Sequence, residues 1–248
     1  MLDTPTDPSI IPAMSSVDRT IALIPAHNEA ATVGNIVTQI CSLWRCPVVV
    51  IDDCSTDNTV QIARAAGASV LPLAIQLGAW GAIQTGLRYA LRQGFRTAVT
   101  LDADGQHEPQ DIGALLCPLM TGEADVAIGA FPERASRARR LAWSYFRFLT
   151  GLELEDITSG FRAYNHTAMT ALASREASLL DYQDVGVLLI LRRRGLRSVE
   201  VPVSMQPRAI GGSKIFRSWW VVGKYMLQTS LLCLARVGRN PAPSSADD

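Results

Sequence analysis

Apolar residues fall into two alternating patterns along this chain. Short runs rich in β-branched residues, at 20–25, 47–51 and 97–101, predict strands buried on both faces. Weaker versions recur at 126–128 and 198–203. Between the runs, apolar positions return every three or four residues. Over 31–43 they are Val33, Ile36, Val37 and Ile40, the stripe of a helix with one buried face. Residues 58–66, 79–92 and 111–120 read the same way, and 185–191 is a shorter apolar helix. This alternation predicts an α/β fold with a mostly parallel sheet and helices on both faces. Sheets of that kind bind ligands beyond the carboxyl ends of their strands, where the strand order reverses. The residues that follow each strand are therefore the first place to look for chemistry.

Those residues are polar and acidic. Pro25, Ala26, His27, Asn28 and Glu29 follow the first strand, and Asp52, Asp53, Cys54, Ser55, Thr56 and Asp57 the second. Asp102, Ala103, Asp104, Gly105, Gln106 and His107 follow the third. Helix capping accounts for part of this. Ser55 or Asp57 suits the start of the helix at 58–66, and Asp111 suits the one after Pro109. Capping does not explain Asp52 beside Asp53, or Asp102 two residues from Asp104. In extended chain, residues i and i+2 point the same way, so Asp102 and Asp104 are expected to face one point. Two such charges repel unless a proton or cation lies between them. Hard oxygen donors with open positions suit Mg2+ or Mn2+ holding a diphosphate. A solvated loop is the alternative for a lone D-x-D.

The combination of stretches resembles the family-2 glycosyltransferases, and within them the dolichyl- and polyprenyl-phosphate sugar synthases. The matching stretches are I-P-A-H-N-E at 24–29, V-I-D-D-C-S-T-D-N-T at 50–59, L-G-A-W-G-A-I-Q-T-G at 77–86 and T-L-D-A-D-G-Q-H-E-P at 100–109. D-I-T-S-G-F-R at 156–162 and the 200–214 segment follow in order. The resemblance implies a GT-A fold and metal-dependent, inverting transfer of a sugar from a nucleotide donor, UDP- or GDP-linked. It implies that Pro25, Ala26, Glu29 and Asp52 line the nucleoside pocket, with Asp53 beside them. By the same resemblance Asp102 and Asp104 hold the metal, Gln106 completes that site, and Ala103 belongs to the donor-binding loop. Arg208, Ser213 and Lys214 would close over the donor and grip phosphate, with Arg208 and Lys214 counted among the catalytic groups. Solvated surface charge is the alternative for those two cations.

Some positions depart from the family pattern. His27 stands where tyrosine is more usual, Gln76-Leu77-Gly78 replaces an asparagine-containing loop, and Gly129-Ala130-Phe131 lacks an arginine that Arg134 would have to replace. His107 and His166 have no partner at ligand spacing and are expected to be non-catalytic. A sugar-hydroxyl acceptor needs a general base, whereas a lipid phosphate is already anionic. Asp156, Asp181 and Asp184 are the candidate bases, with helix capping an equal account of Asp181 and Asp184. Related chains often carry an acid where this one has Gly186. That favours a polyprenyl-phosphate acceptor over a glycan. Two further readings are a phosphatase of the haloacid-dehalogenase type, because T-L-D-A-D-G resembles its nucleophile loop, and a non-catalytic nucleotide-sugar binding protein.

Composition narrows the rest. The 248 residues contain 23 Lys plus Arg and 23 Asp plus Glu, so there is no basic excess of the kind nucleic-acid binding demands. With 48% hydrophobic residues a sizeable core is expected. Five cysteines with no C-x-x-C pair argue for reduced thiols in a cytoplasmic protein. The first eighteen residues lack the basic start and apolar stretch of a secretory signal. The expected organisation is a tail at 1–18, a GT-A domain at 19–214, an amphipathic helix at 215–238 and a tail at 239–248. In the helical segment Trp219, Trp220 and Tyr225 accompany a cationic stripe of Arg217 and Lys224. Three accounts stand for it: a membrane-interface helix on the cytoplasmic face, a core helix, or a dimer contact.

Overall fold

The computed structural model describes residues 19–131, 133, 137–152, 154–180, 183–206 and 230. Among these, seven strands form one sheet: β1 (Thr20–Ala26), β2 (Val48–Asp52), β3 (Ser69–Pro72), β4 (Thr97–Thr100), β5 (Val126–Ala130), β6 (Arg162–Asn165) and β7 (Ser198–Pro202). The helices are α1 (Val33–Trp44), α2 (Thr59–Ala65), α3 (Gly78–Arg92), α4 (Ile112–Met120), α5 (Arg137–Thr150), α6 (His166–Leu172) and α7 (Val185–Arg193). The strand order is β3-β2-β1-β4-β6-β5-β7. β6 runs antiparallel to both of its neighbours, and the other pairs are parallel.

Alternation along the central strands builds a core on each face. Ile21 and Leu23 of β1 pack with Ile83 and Leu87 of α3 and with the apolar residues of α6 and α7. Ala22 and Ile24 point the other way, toward Val33, Val37 and Ile40 of α1 and Leu115 of α4. Each such valine, leucine or isoleucine side chain, removed from water, contributes roughly 1.5–3 kcal/mol. α3 seats unusually close to the sheet at Gly86, where a Cβ would lie 2.9 Å from Ile51 Cδ1. Any larger residue there would push the helix outward.

The five predicted strands are present, with ends shifted by one or two residues. β3 and β6 fall outside the hydrophobic pattern, as do α5 and α6. β3 is a short edge strand whose residues are half-buried or exposed. β6 contains Arg162, fully buried, whose guanidinium donates to the carbonyls of Ser159 (2.8 Å), Ile157 (3.0 Å) and Gln183 (3.0 Å).

Cys41, Cys46, Cys54 and Cys117 carry free thiols, and burial pushes the Cys46 thiol up to about 11. Strand order reverses between β1 and β4, with β2 and β3 on one side and β6, β5 and β7 on the other. The loops after β1, β2 and β4 thus meet at one sheet edge, where such folds bind ligands.

Candidate donor and metal site

The loops after β1 and β2 are laced together. Asp53 N–H donates to Ala26 O at 2.8 Å, and His27 Nδ1 lies 2.7 Å from Asp53 O. Asn28, with φ of 55°, accepts at Oδ1 from Thr56 N–H at 2.8 Å, while its own N–H donates to Ser55 Oγ at 2.9 Å. Glu29 N–H donates to Thr59 Oγ1 at 2.9 Å, and Ala30 N–H to Asp57 Oδ2 at 3.2 Å. These contacts fix Pro25, Ala26 and Glu29 beside the end of β2.

The two adjacent aspartates have different surroundings. Asp53 is 4% exposed, and its oxygens accept from Leu77 N–H (2.6 Å) and Gly78 N–H (2.9 Å). Its charge therefore sits at the N-terminus of α3, where unpaired N–H groups and the helix dipole favour an anion. Asp52 is equally buried, and its Oδ2 accepts from Ser55 N–H at 3.3 Å. Its Oδ1 is buried with no hydrogen-bond partner among the described residues. A buried acceptor in that condition costs about 1–3 kcal/mol, which a ligand donor would relieve.

Beyond β4 the chain does not stay extended. Residues 103–105 make a turn, with Gly105 at φ of 78° and Gln106 N–H donating to Asp104 Oδ1 at 3.1 Å. Asp102 and Asp104 thus share a turn rather than one face of a strand, contrary to the extended-chain expectation. Both are half-buried, whereas Ala103 between them is buried and its carbonyl accepts from Thr32 Oγ1. A Cβ at Gly160 would lie 2.5 Å from Asp102 Oδ1, so the glycine makes room for that carboxylate. Gln106 is half-buried, and its backbone carbonyl accepts from Gln206 N–H at 2.8 Å. That bond ties the turn to the chain leading toward residue 207. A hard divalent cation fits this donor set of partly exposed carboxylates and an amide. Among the described residues no group of three or more His, Cys, Asp or Glu converges as a metal site.

Capping expectations divide. Asp57 Oδ1 accepts from Thr59 N–H at 3.0 Å at the start of α2, although the N-cap position itself is Asn58, which makes no side-chain cap bond. Asp111 makes no such bond to its helix; its Oδ2 accepts from Ser204 N–H at 2.8 Å, steadying β7's exit. Among the candidate bases, Asp184 Oδ1 caps α7 through Gly186 N–H at 3.2 Å, the capping reading. Asp156 is fully buried and accepts from Phe131 N–H and Thr158 Oγ1, both at 3.4 Å. Asp181, Arg134, Arg208, Ser213, Lys214, Trp219 and Trp220 lie outside the described residues. His107, expected to be non-catalytic, places its Nε2 3.1 Å from Asp102 Oδ2. Its place five residues beyond Asp102, across a turn, was the available signal.

The mixed seven-stranded sheet, with its acidic loops gathered at the switch point, has the GT-A fold. Residues 21–178 match the family described as Glycosyl transferase family 2, and the chain belongs to that family. It is 30% identical over 220 residues to polyprenol monophosphomannose synthase of Mycolicibacterium smegmatis, covering 79% of this chain and 81% of that one. It is 30% identical over 233 residues to undecaprenyl-phosphate mannosyltransferase of Micrococcus luteus, covering 88% of this chain and 95% of that one. Glucosyl-3-phosphoglycerate synthase from Mycobacterium tuberculosis, in complex with Mn2+, UDP-glucose and phosphoglyceric acid, superposes with a TM-score of 0.69 at 23% identity. That match covers 91% of this chain and 82% of the other. The phosphatase reading of the β4 loop falls with these matches, and the protein is a glycosyltransferase.

Proposed function

We propose that this glycosyltransferase moves a sugar from a UDP- or GDP-linked donor to a polyprenyl phosphate, with inversion at the anomeric carbon and with Mg2+ or Mn2+. The supporting observation for the donor is Asp52, whose buried Oδ1 is unmatched at the switch point, next to the half-buried pair Asp102 and Asp104. In this reading Asp52 and Glu29 accept hydrogen bonds from the nucleoside, beside Pro25 and Ala26. Asp53 holds the loop through α3, Asp102, Asp104 and Gln106 hold the cation, and Ala103 borders the diphosphate. When bound, the cation supplies Lewis-acid neutralisation of the departing diphosphate. Arg208, Ser213 and Lys214 grip phosphate from the later segment.

The lipid-phosphate acceptor is supported from two sides. The two relatives at 30% identity are named for mannosyl transfer to polyprenyl phosphates. Both described base candidates, Asp156 and Asp184, are buried and engaged with backbone N–H groups, an arrangement suited to structure rather than to deprotonating a sugar hydroxyl. A phosphate oxygen attacks without losing a proton. Its bond to the anomeric carbon forms as the bond to the nucleotide diphosphate breaks from the opposite face. The reaction is placed at the cytoplasmic face of a membrane, where the lipid tail stays in the bilayer. Among the described residues no helix is long and apolar enough to cross a membrane.

The test is a panel of UDP- and GDP-sugars with MnCl2 and undecaprenyl phosphate in detergent, read by mass spectrometry of the lipid and NMR of the anomeric proton. A glycosylated lipid of inverted configuration is expected. Transfer only to a soluble glycan, or equal turnover in excess EDTA, would overturn the acceptor or the metal assignment respectively.

A further inference from the structure

We infer that His107 is a positioning residue for Asp102, setting the carboxylate that the proposed function gives to the metal. The imidazole is gripped from several sides. Its backbone forms an antiparallel bridge with Met205, which fixes the Cα. Its ring meets that of Phe161 at 5.1 Å between centroids and 43° between planes. The side chain is 1% exposed, while that of Asp102 is 41% exposed. Nε2 lies 3.1 Å from Asp102 Oδ2. Nδ1 is buried without a hydrogen-bond partner among the described residues. A proton on Nε2 is satisfied by the carboxylate, so the surroundings direct the ring's donor toward Asp102.

Asp102 is thereby bounded on two sides. Gly160 leaves space for the carboxylate, because a Cβ there would lie 2.5 Å from Oδ1 and 2.7 Å from Oδ2. His107 donates to Oδ2 and leaves the exposed part of the carboxylate facing out. A ligating carboxylate held by a hydrogen bond keeps its orientation, and losing such outer partners costs about 10- to 100-fold in metal affinity or activity. The same residue also couples neighbouring segments. The His107–Met205 bridge and the bond from Gln206 N–H to Gln106 O hold the metal turn against the chain that runs toward Arg208.

This inference rests on the metal assignment, and the experiment separates the two. Mn2+ binding is measured by electron paramagnetic resonance with UDP and with GDP, for wild type, Asp104→Asn, His107→Leu and His107→Gln. Leucine fills the apolar side against Phe161 but donates nothing. Glutamine restores a side-chain N–H donor. His107→Leu should bind Mn2+ about 10- to 100-fold more weakly and lose kcat with little change in melting temperature, and His107→Gln should recover most of both. Undiminished Mn2+ affinity in His107→Leu, beside a loss in Asp104→Asn, overturns the positioning role alone. No Mn2+ binding by wild type overturns the metal assignment and this inference together. Imidazole 15N NMR of the metal-free wild-type protein supplies a readout that needs no variant. With three histidines in the chain the spectrum is simple. A protonated Nε2 on His107 is expected, and a bare Nε2 overturns the inference.

Discussion

Asp52 and Asp53 show how much one residue of separation matters at a strand end. Neighbours in extended chain point to opposite sides. Asp53 meets the amides that open α3, while Asp52 keeps a buried oxygen without a hydrogen-bond partner among the described residues. The family resemblance puts Asp52 in the nucleoside pocket with Asp53 beside it, but the D-D pair alone does not say which of the two meets the helix. Asp52→Ala should weaken nucleotide binding by about 1.5–3 kcal/mol, the value of a hydrogen bond to a charged group. It should leave the melting temperature unchanged or higher, since an unmatched buried acceptor disappears. Calorimetry and a thermal melt on the same samples check both halves; equal affinity for every nucleotide refutes the pocket assignment. Asp104 belongs to the same scale. Asp104→Asn removes charge but keeps shape and the acceptor for Gln106 N–H. Transfer should fall by about 10²- to 10³-fold with the fold intact; an unchanged rate would rule out a role for that charge.

Elements form here through local hydrogen bonds as much as through apolar periodicity. α1, α3 and α4 announce themselves because their buried stripes are regular. β3 and β6 do not. β3 is an edge strand with little burial, so its residues need not alternate strictly. β6 hides a charged residue at zero exposure, which is tolerated because three carbonyls receive the guanidinium. No pattern of apolar positions can register a buried charge held by backbone carbonyls.

The start of α2 gives an element-scale prediction. Burial, the largest single influence on the Asp57 carboxyl, raises its pKa, but the hydrogen bonds from the Thr59 side chain and N–H and from Ala30 N–H together outweigh it. The carboxyl is held below its ordinary value. A group depressed in the folded state contributes stability above its unfolded pKa and loses it as pH falls through the folded one. The wild type should therefore lose urea resistance on acidification more steeply than Asp57→Ala, with the two converging at the acid end. Parallel pH curves would show that the carboxylate does not stabilise the loop junction.

At the scale of the molecule, strand and helix alternation was sufficient to anticipate the mostly parallel sheet and the edge at which the acidic loops gather. It could not show the antiparallel insertion of β6, which depends on long-range pairing with β4 and β5. The proposed acceptor is also a whole-molecule question: if it is a polyprenyl phosphate, its tail remains in the bilayer and the enzyme must come to it. Two surfaces bear on this. In α5, Phe148 is 90% exposed and Tyr145 is 42% exposed, an apolar pair in water. The Tyr145 hydroxyl lies 3.2 Å from the hydroxyl of Ser230. The apolar 215–238 segment contributes Trp219, Trp220, Arg217 and Lys224, residue types suited to the headgroup region and to anionic lipid. The protein should therefore co-sediment with vesicles of phosphatidylglycerol and phosphatidylcholine. Binding should fall with salt, in Phe148→Ser, and in the Trp219→Ser/Trp220→Ser double variant. If the tryptophans are instead core residues, the double variant should lose several kcal/mol per site and melt far below wild type. A melting temperature that collapses in the double variant, together with no vesicle binding by wild type, would eliminate the membrane contact and make a soluble acceptor the better assignment.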